Sequence, residues 1–334
     1  MVSSENRAPT SGAPPSGPPR DQESWGGVMP AVLTMFDADG ALDEVATAEH
    51  IERLVSEGVH GVVVGGTSGE FIGLSPAERD RLVQVAVRTV RGRVPVVAGT
   101  GAYATQETIE LTRAAAGRGA DGAIVILPYF QKPTRDEVMR HLRSVGAASP
   151  IPVMAYNNPA NSGAPELRAA DLAALFGDGA ITAVKSTFPS VHQVHEARAA
   201  VPDEAFRILY GSFTAPLEAL AGGADGWISG ILNVVAADAL ALFDAIGRAD
   251  LAAARQAWAR ILPIRRLYTE QLLGPVGDLA IYRGILRLRG LPGGHCRAPL
   301  LDLTPSQEER LAEILDASDK PEKLAATAAP GRHT

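Results

Sequence analysis

The chain is short of cysteine, of net positive charge and of long apolar runs, and each shortage removes a class of protein. Cys296 is the only cysteine in 334 residues, so no disulfide can close within the chain and a reducing cytoplasm is the expected compartment. The formal net charge is -7, which argues against nucleic acid or an anionic membrane as a partner. No apolar run approaches the roughly 20 residues of a membrane span. Residues 1–25 are crowded with Pro, Gly and Ser and lack an apolar h-region, so they read as a disordered tail rather than a signal peptide, and residues 318–334 read the same way. The Gly-Lys-Ser/Thr of a Walker A loop and the GxGxxG of a dinucleotide site are both missing. The seven histidines are scattered; His192 and His195 lie three apart beside Glu196, which reads as a solvated helix face rather than a metal site. Neither a metal nor an organic cofactor is expected.

What is present is regular. Hydrophobic residues make up 46% of the chain, enough for one large core. Apolar runs of strand length start near Val28, Gly61, Val94, Ala123, Ile151, Ile181, Arg207 and Gly226, each followed by helical spacing. Ser75-Pro76-Ala77-Glu78 supplies an N-cap, a first-turn proline and a capping-box acid. Gly58, Gly119 and Gly179 stand where helices should end. Near-continuous apolar strands alternating with helices predict a parallel sheet covered by helices. Eight units fit within residues 26–249, which predicts a (β/α)8 TIM barrel, with an open doubly wound sheet as the alternative. Residues 250–317 keep helical spacing without strands and are expected to form C-terminal helices packed on the barrel.

In a barrel of this kind, chemistry sits at the carboxyl ends of the strands. Lys185 ends the apolar run Ile181-Thr182-Ala183-Val184. A lone buried ammonium is costly, and its deprotonated amine is the form that attacks carbonyl carbon. Taken alone, the residue reads as a strand-end lysine reaching solvent or an acidic partner, and the residues around it reverse that reading. Tyr156 ends the fifth run and is either a core tyrosine or a proton relay facing Lys185. Gly65-Gly66-Thr67-Ser68-Gly69-Glu70 follows the second run; it is either a plain tight turn or a cradle of N–H and hydroxyl donors for an anion. With no basic residue beside this loop, a carboxylate suits it better than a polyphosphate. An amine, a phenol and a hydroxyl-bearing loop at one end of a barrel suit imine chemistry on a 2-oxo acid.

Together these residues resemble the dihydrodipicolinate synthase/N-acetylneuraminate lyase family of Schiff-base-forming barrel enzymes. Gly66-Thr67-Ser68-Gly69-Glu70 is similar to the family's glycine–hydroxyl–hydroxyl–glycine–glutamate loop, Tyr156-Asn157-Asn158-Pro159 to its Tyr-Asn-x-Pro motif, and Val184-Lys185 to its Schiff-base lysine. Gly226-Trp227-Ile228-Ser229 with Asn233 resembles its Gly-x-Ile-Ser…Asn segment. The resemblance implies that Lys185 forms an imine with pyruvate or a larger 2-oxo acid. It implies that Gly66, Thr67 and Ser68 present donors to the carboxylate, that Tyr156 moves protons, and that the Ile228 carbonyl faces the reacting pocket. It also implies homotetramers working without metal or organic cofactor, with a small 2-oxo acid and an aldehyde as partners.

Two positions depart from the family pattern. Asn161 stands where dihydrodipicolinate synthases carry the arginine that binds the aldehyde's carboxylate, and Phe130 stands where a tyrosine commonly crosses a subunit interface, with Tyr129 one residue early. The expected function is therefore a lyase or aldolase acting on a pyruvate-type 2-oxo acid, and not a true dihydrodipicolinate synthase. A Schiff-base dehydratase or deaminase of a 2-oxo sugar acid is a second reading. A non-catalytic 2-oxo-acid-binding protein is a third.

Overall fold

The computed structural model describes residues 25–318; of the expected tails 1–25 and 318–334, all but Trp25 and Ser318 lie outside the described residues. Eight short strands form one parallel sheet: β1 (Gly27–Pro30), β2 (Val62–Val64), β3 (Val96–Gly99), β4 (Gly122–Ile126), β5 (Val153–Asn157), β6 (Ala183–Ser186), β7 (Arg207–Tyr210) and β8 (Gly226–Ser229). Neighbours in sequence are neighbours in the sheet, and β1 pairs with β8 from Gly27 opposite Gly226 to Pro30 opposite Ser229. The ring closes between the first two strands through a parallel bridge of Ala31 with Val63 and a 2.8 Å bond from the Val32 N–H to the Val63 carbonyl. The fold is thus the (β/α)8 barrel that the alternation predicts, and the open sheet is excluded.

The helices are α1 (Glu44–Ser56), α2 (Pro76–Val90), α3 (Thr105–Gly117), α4 (Arg135–Ala148), the single turn α5 (Pro159–Ser162), α6 (Ala169–Gly177), α7 (His192–Ala200), α8 (Pro216–Ala221) and α9 (Leu232–Gly247). Then α10 (Leu251–Thr269), α11 (Asp278–Leu288) and α12 (Pro305–Ser318) follow without further strands. The α2 start is the capping box read from sequence, with Ser75 accepting from the Glu78 N–H and Glu78 reaching back to Ser75.

Pleating divides the strand side chains into two cores. Met29, Val63, Val97, Ile124, Met154, Ala183 and Leu209 fill the barrel interior. Val28, Val125, Ala155, Val184 and Ile208 point outward to the helices. Trp25, at the end of the stretch read as a tail, is 3% exposed and belongs to the interior cluster. The appendage of α10–α12 is tied to the barrel by long-range polar contacts. Arg283 of α11 is fully buried and donates to the Thr34 and Gly293 carbonyls and, at 2.6 Å, to Glu70 in the loop after β2.

Candidate active site

Strand register assembles the first half of the site. Ala183 faces the barrel interior and Val184 the helices, so the period of two turns Lys185 inward. β5 and β6 pair with Tyr156 directly opposite Lys185. Both side chains are 6% exposed, and Lys185 Nζ lies 4.0 Å from the centre of the Tyr156 ring. A cation over an aromatic face gains some of the stabilisation that burial removes from it. The lysine therefore does not reach out to solvent.

The Tyr156 phenol is held from several sides. Asn158 Nδ2 donates to its oxygen at 3.0 Å. Burial by itself would raise the phenol, but the Lys185 charge and the Asn158, Thr187 and Thr67 side chains outweigh it and hold the group below the usual tyrosine range. Thr187 Oγ1 is buried and acts on the phenol without a hydrogen bond of normal geometry. Space for the lysine stem depends on Gly211, just after β7: a Cβ there would sit 1.9 Å from Thr187 Oγ1 and 2.9 Å from Lys185 Cε.

The second half is the loop after β2. Its turn is closed by N–H bonds from Gly69 to the Gly66 carbonyl, from Glu70 to the Thr67 carbonyl and from Phe71 to the Gly66 carbonyl. None of these uses the N–H of Thr67 or Ser68. Glu70 adopts a left-handed conformation (φ 55°) and is anchored by Arg283 through one carboxylate oxygen and by the Arg297 N–H, at 3.1 Å, through the other. The glutamate thus fixes the loop and does not line the narrow cavity at Lys185.

Lys185, Tyr156, Thr67 and Gly66 line one narrow cavity of about 20 Å³, of the order of a single water. A larger cavity of about 580 Å³ adjoins it at Thr67 and Phe71, which line both. The chemistry-bearing groups are in the small one. Ser68 lies against Gly230, where a Cβ would stand 2.5 Å from its hydroxyl. Ile228 is buried in the barrel interior. Asn161 is exposed, with its N–H directed to Asn158 Oδ1 at 3.4 Å. Neither Ile228 nor Asn161 lines the narrow cavity. Phe130 is 93% exposed at φ 74°, whereas Tyr129 packs edge-on against Phe71. His192 pairs with Glu196 on an exposed helix face, and no cluster of metal-ligating side chains occurs among the described residues.

The β8 end is braced by a buried network. Asn233 donates to the Ala31 and Gly230 carbonyls and accepts from the Leu33 N–H. His50, completely buried in α1, meets Asn233 Oδ1 at 2.8 Å. Burial is the main reason that His50 is lowered to about 3; the Asn233 bond opposes the shift, and Arg53 and Arg283 add to it. His50 is therefore a neutral donor at ordinary pH.

Comparison with known proteins identifies the family and agrees with the fold. The profile of the dihydrodipicolinate synthetase family matches residues 24–318. The chain belongs to that family. A 4-hydroxy-tetrahydrodipicolinate synthase of Methanothrix thermoacetophila is 35% identical over 290 residues, covering 86% of this chain and 95% of the relative. An uncharacterized DapA-like lyase of Halobacterium salinarum is 36% identical over 92% of this chain and 97% of its own length. Among solved structures, YagE, a prophage protein of the dihydrodipicolinic acid synthase family from E. coli K12 determined in complex with pyruvate, superimposes with a TM-score of 0.82. It is 32% identical, with 88% of this chain and 99% of that one covered.

The sequence had given Asn158, Thr187 and Gly211 no role and had not singled out Arg283. Arg283 carried a readable signal, because it interrupts the apolar run Ala280-Ile281-Tyr282 and Gly284-Ile285-Leu286 as Lys185 interrupts its own strand. Gly211 carried none.

Proposed function

We propose that the protein is a lyase that makes or breaks a carbon–carbon bond in a pyruvate-type 2-oxo acid through an imine on Lys185. The observation that carries this reading is the Lys185 amine held 4.0 Å over the Tyr156 ring, with Thr67 and Gly66 on the same cavity wall. In the condensing direction, the deprotonated amine adds to the 2-oxo carbon, and loss of water from the carbinolamine leaves a protonated imine. That imine is an electron sink, so a C3 proton can leave to give an enamine. The enamine carbon then bonds to an aldehyde carbon while the aldehyde oxygen takes up a proton. Hydrolysis of the imine restores the water and frees a 4-hydroxy-2-oxo acid. Tyr156, with its lowered phenol, moves the protons at the carbinolamine and aldol steps. Thr67 and Ser68, with Gly66, hold the 2-oxo acid carboxylate, and the Ile228 carbonyl borders the reacting centre. The pyruvate complex of YagE and the lyase name of the Halobacterium relative support the same substrate and reaction class.

Aspartate semialdehyde is a poor acceptor in this reading, although several relatives are named as 4-hydroxy-tetrahydrodipicolinate synthases. A neutral Asn161 amide offers no charged fork to the aldehyde's carboxylate. The enzyme works as a homo-oligomer in the cytoplasm.

Borohydride trapping with pyruvate tests the imine. One reduced pyruvyl unit should appear per chain, mapped to the peptide bearing Lys185, and both Lys185→Ala and Lys185→Arg should lose label and turnover. Label that persists in Lys185→Ala would end the assignment.

A further inference from the structure

The chamber at Lys185 has room for about one water, and pyruvate, with three carbons and three oxygens, is several times larger. One wall must therefore yield when a 2-oxo acid enters. Val63, Ile124, Ile126, Tyr156 and Lys185 stand on strands whose pairing the closed ring fixes. Ala31 is bridged to Val63, and the glycines of the wall have no side chain to move. Thr67 and Phe71 are left, and both also line the cavity of about 580 Å³. Phe71 is the bulkier of the two, is buried, and opens a short 3₁₀ turn (Phe71–Gly73) rather than standing on a strand. Its ring is the partition between the chamber and the larger space.

The partition is fastened from outside. Arg79 of α2 lines neither cavity. It donates to the Phe71 carbonyl at 2.9 Å and to the Gly101 carbonyl at 3.2 Å. Its guanidinium carbon stands 5.0 Å from the centre of the Phe71 ring, a distance at which a cation is attracted to an aromatic face. Gly101 is itself part of the chamber wall and is packed so closely that a Cβ there would lie 2.7 Å from Ile126 Cγ2. One half-buried guanidinium thus ties the partition to the rigid segment after β3. Tyr129 meets the same ring edge-on, with the centroids 5.9 Å apart. The ring is placed by its own carbonyl, its face and its edge.

We propose that Phe71 selects the 2-oxo acid by size, and that Arg79 is the positioning residue that holds it in place. Pyruvate forms the imine with the smallest displacement of the ring. An acid with carbon added at C3 must push the ring further toward the larger cavity, against the Arg79 contacts. One added methylene in a closed apolar pocket changes selectivity by roughly 10- to 200-fold. The inference rests on the imine reading above and adds the size limit of the acid.

The test is borohydride trapping on the full-length protein with pyruvate and with 2-oxobutyrate, which is one methylene longer. The quantity read is the ratio of their half-saturating concentrations, because a general loosening would weaken both acids alike and leave the ratio unmoved. The wild type should favour pyruvate by roughly 10-fold or more. Phe71→Ala joins the chamber to the larger cavity and should remove most of that preference. Phe71→Leu keeps an apolar fill, should remove less of it, and carries the test if Phe71→Ala does not fold. Arg79→Met keeps the length of the stem, loses both carbonyl bonds and the cation, and should shift the ratio the same way by a smaller factor. If the wild type traps both acids alike, or the Phe71 variants keep its preference, size selection is overturned while labelled Lys185 keeps the imine reading. If the Phe71 variants shift the ratio and Arg79→Met does not, the role of Arg79 alone is overturned. If pyruvate leaves Lys185 of the wild type unlabelled, the imine reading falls and the selection falls with it.

Discussion

The two halves of the site are built by different means. Tyr156 and Lys185 are brought together by adjacent paired strands: they stand 29 positions apart in the chain and directly opposite each other in the sheet. The loop bearing Thr67 is fixed by Glu70 to Arg283, a contact spanning 213 positions that requires the C-terminal helices to be docked. Register is imposed by the whole barrel, because slipping one strand by one residue would turn its side chains to the other face. The loop is held by its own turn bonds and, through Glu70, by the buried Arg283 ion pair and the Arg297 N–H. In the proposed reading, the half assigned the covalent chemistry is thus set by the fold as a whole, and the half assigned the carboxylate leans on a long-range contact that a single substitution removes. Changes in the second half should therefore weaken binding before they abolish chemistry.

The largest effect expected within the first half, after loss of Lys185 itself, comes from Tyr156→Phe. The ring remains under Lys185 Nζ, so folding and pyruvate trapping should persist while multiple turnover falls by about 10²–10⁴-fold, the usual contribution of a general acid–base group. Steady-state rates near wild type would make Tyr156 a packing residue and leave the register without its proposed partner.

The next effect tests the second half. Arg283→Met leaves Glu70 buried without its ion-pair partner, which should cost about 3–5 kcal/mol of stability by denaturant titration. The double variant Glu70→Gln, Arg283→Met should recover much of that loss, since the penalty belongs to the unpaired charge. In the single variant, the pyruvate concentration needed for half-maximal trapping should rise, while saturating pyruvate still labels Lys185. If trapping at saturation disappears, the two halves are not separable.

The same division explains what could be read from sequence. The barrel was legible because its strands are apolar runs at regular spacing. Lys185 and Tyr156 were legible because strand ends in a barrel share one rim. The Gly66–Glu70 loop was recognisable, but the job of Glu70 was not, since its partner lies far along the chain in a helix that reads as amphipathic. The His50–Asn233 brace was hidden for a similar reason: a histidine in an outer helix reads as surface until α1 is seen packed against the β8 loop. Asn161 was read from its motif as a substrate contact, yet it is exposed and lines neither the narrow cavity nor the larger one beside it.

The smallest expected effect is a pH dependence of that brace. His50 binds a proton near pH 6.5 in the unfolded chain but is lowered to about 3 when folded, because burial disfavours the imidazolium. Between these values the unfolded state holds more protons than the folded one, so stability increases with pH. The contribution is complete above about pH 6.5 and is lost as pH falls toward 3, by up to about 1.4 kcal/mol per pH unit. His141, lowered to about 4 by burial, contributes with the same sign. Below the ordinary carboxylate range, Glu78 adds its own loss, since Arg297 holds it down at about 2. His50→Gln keeps a donor for Asn233 Oδ1 and removes the titration, so the difference between the two proteins isolates the histidine. Denaturant titrations at pH 6.5, 5.5 and 4.5 should show the wild type losing stability more steeply than the variant, with the curves converging as pH falls. Parallel curves would mean that His50 takes up its proton alike in both states. The link between β1 and β8 would then be carried by Asn233 alone, and the brace would be insensitive to pH.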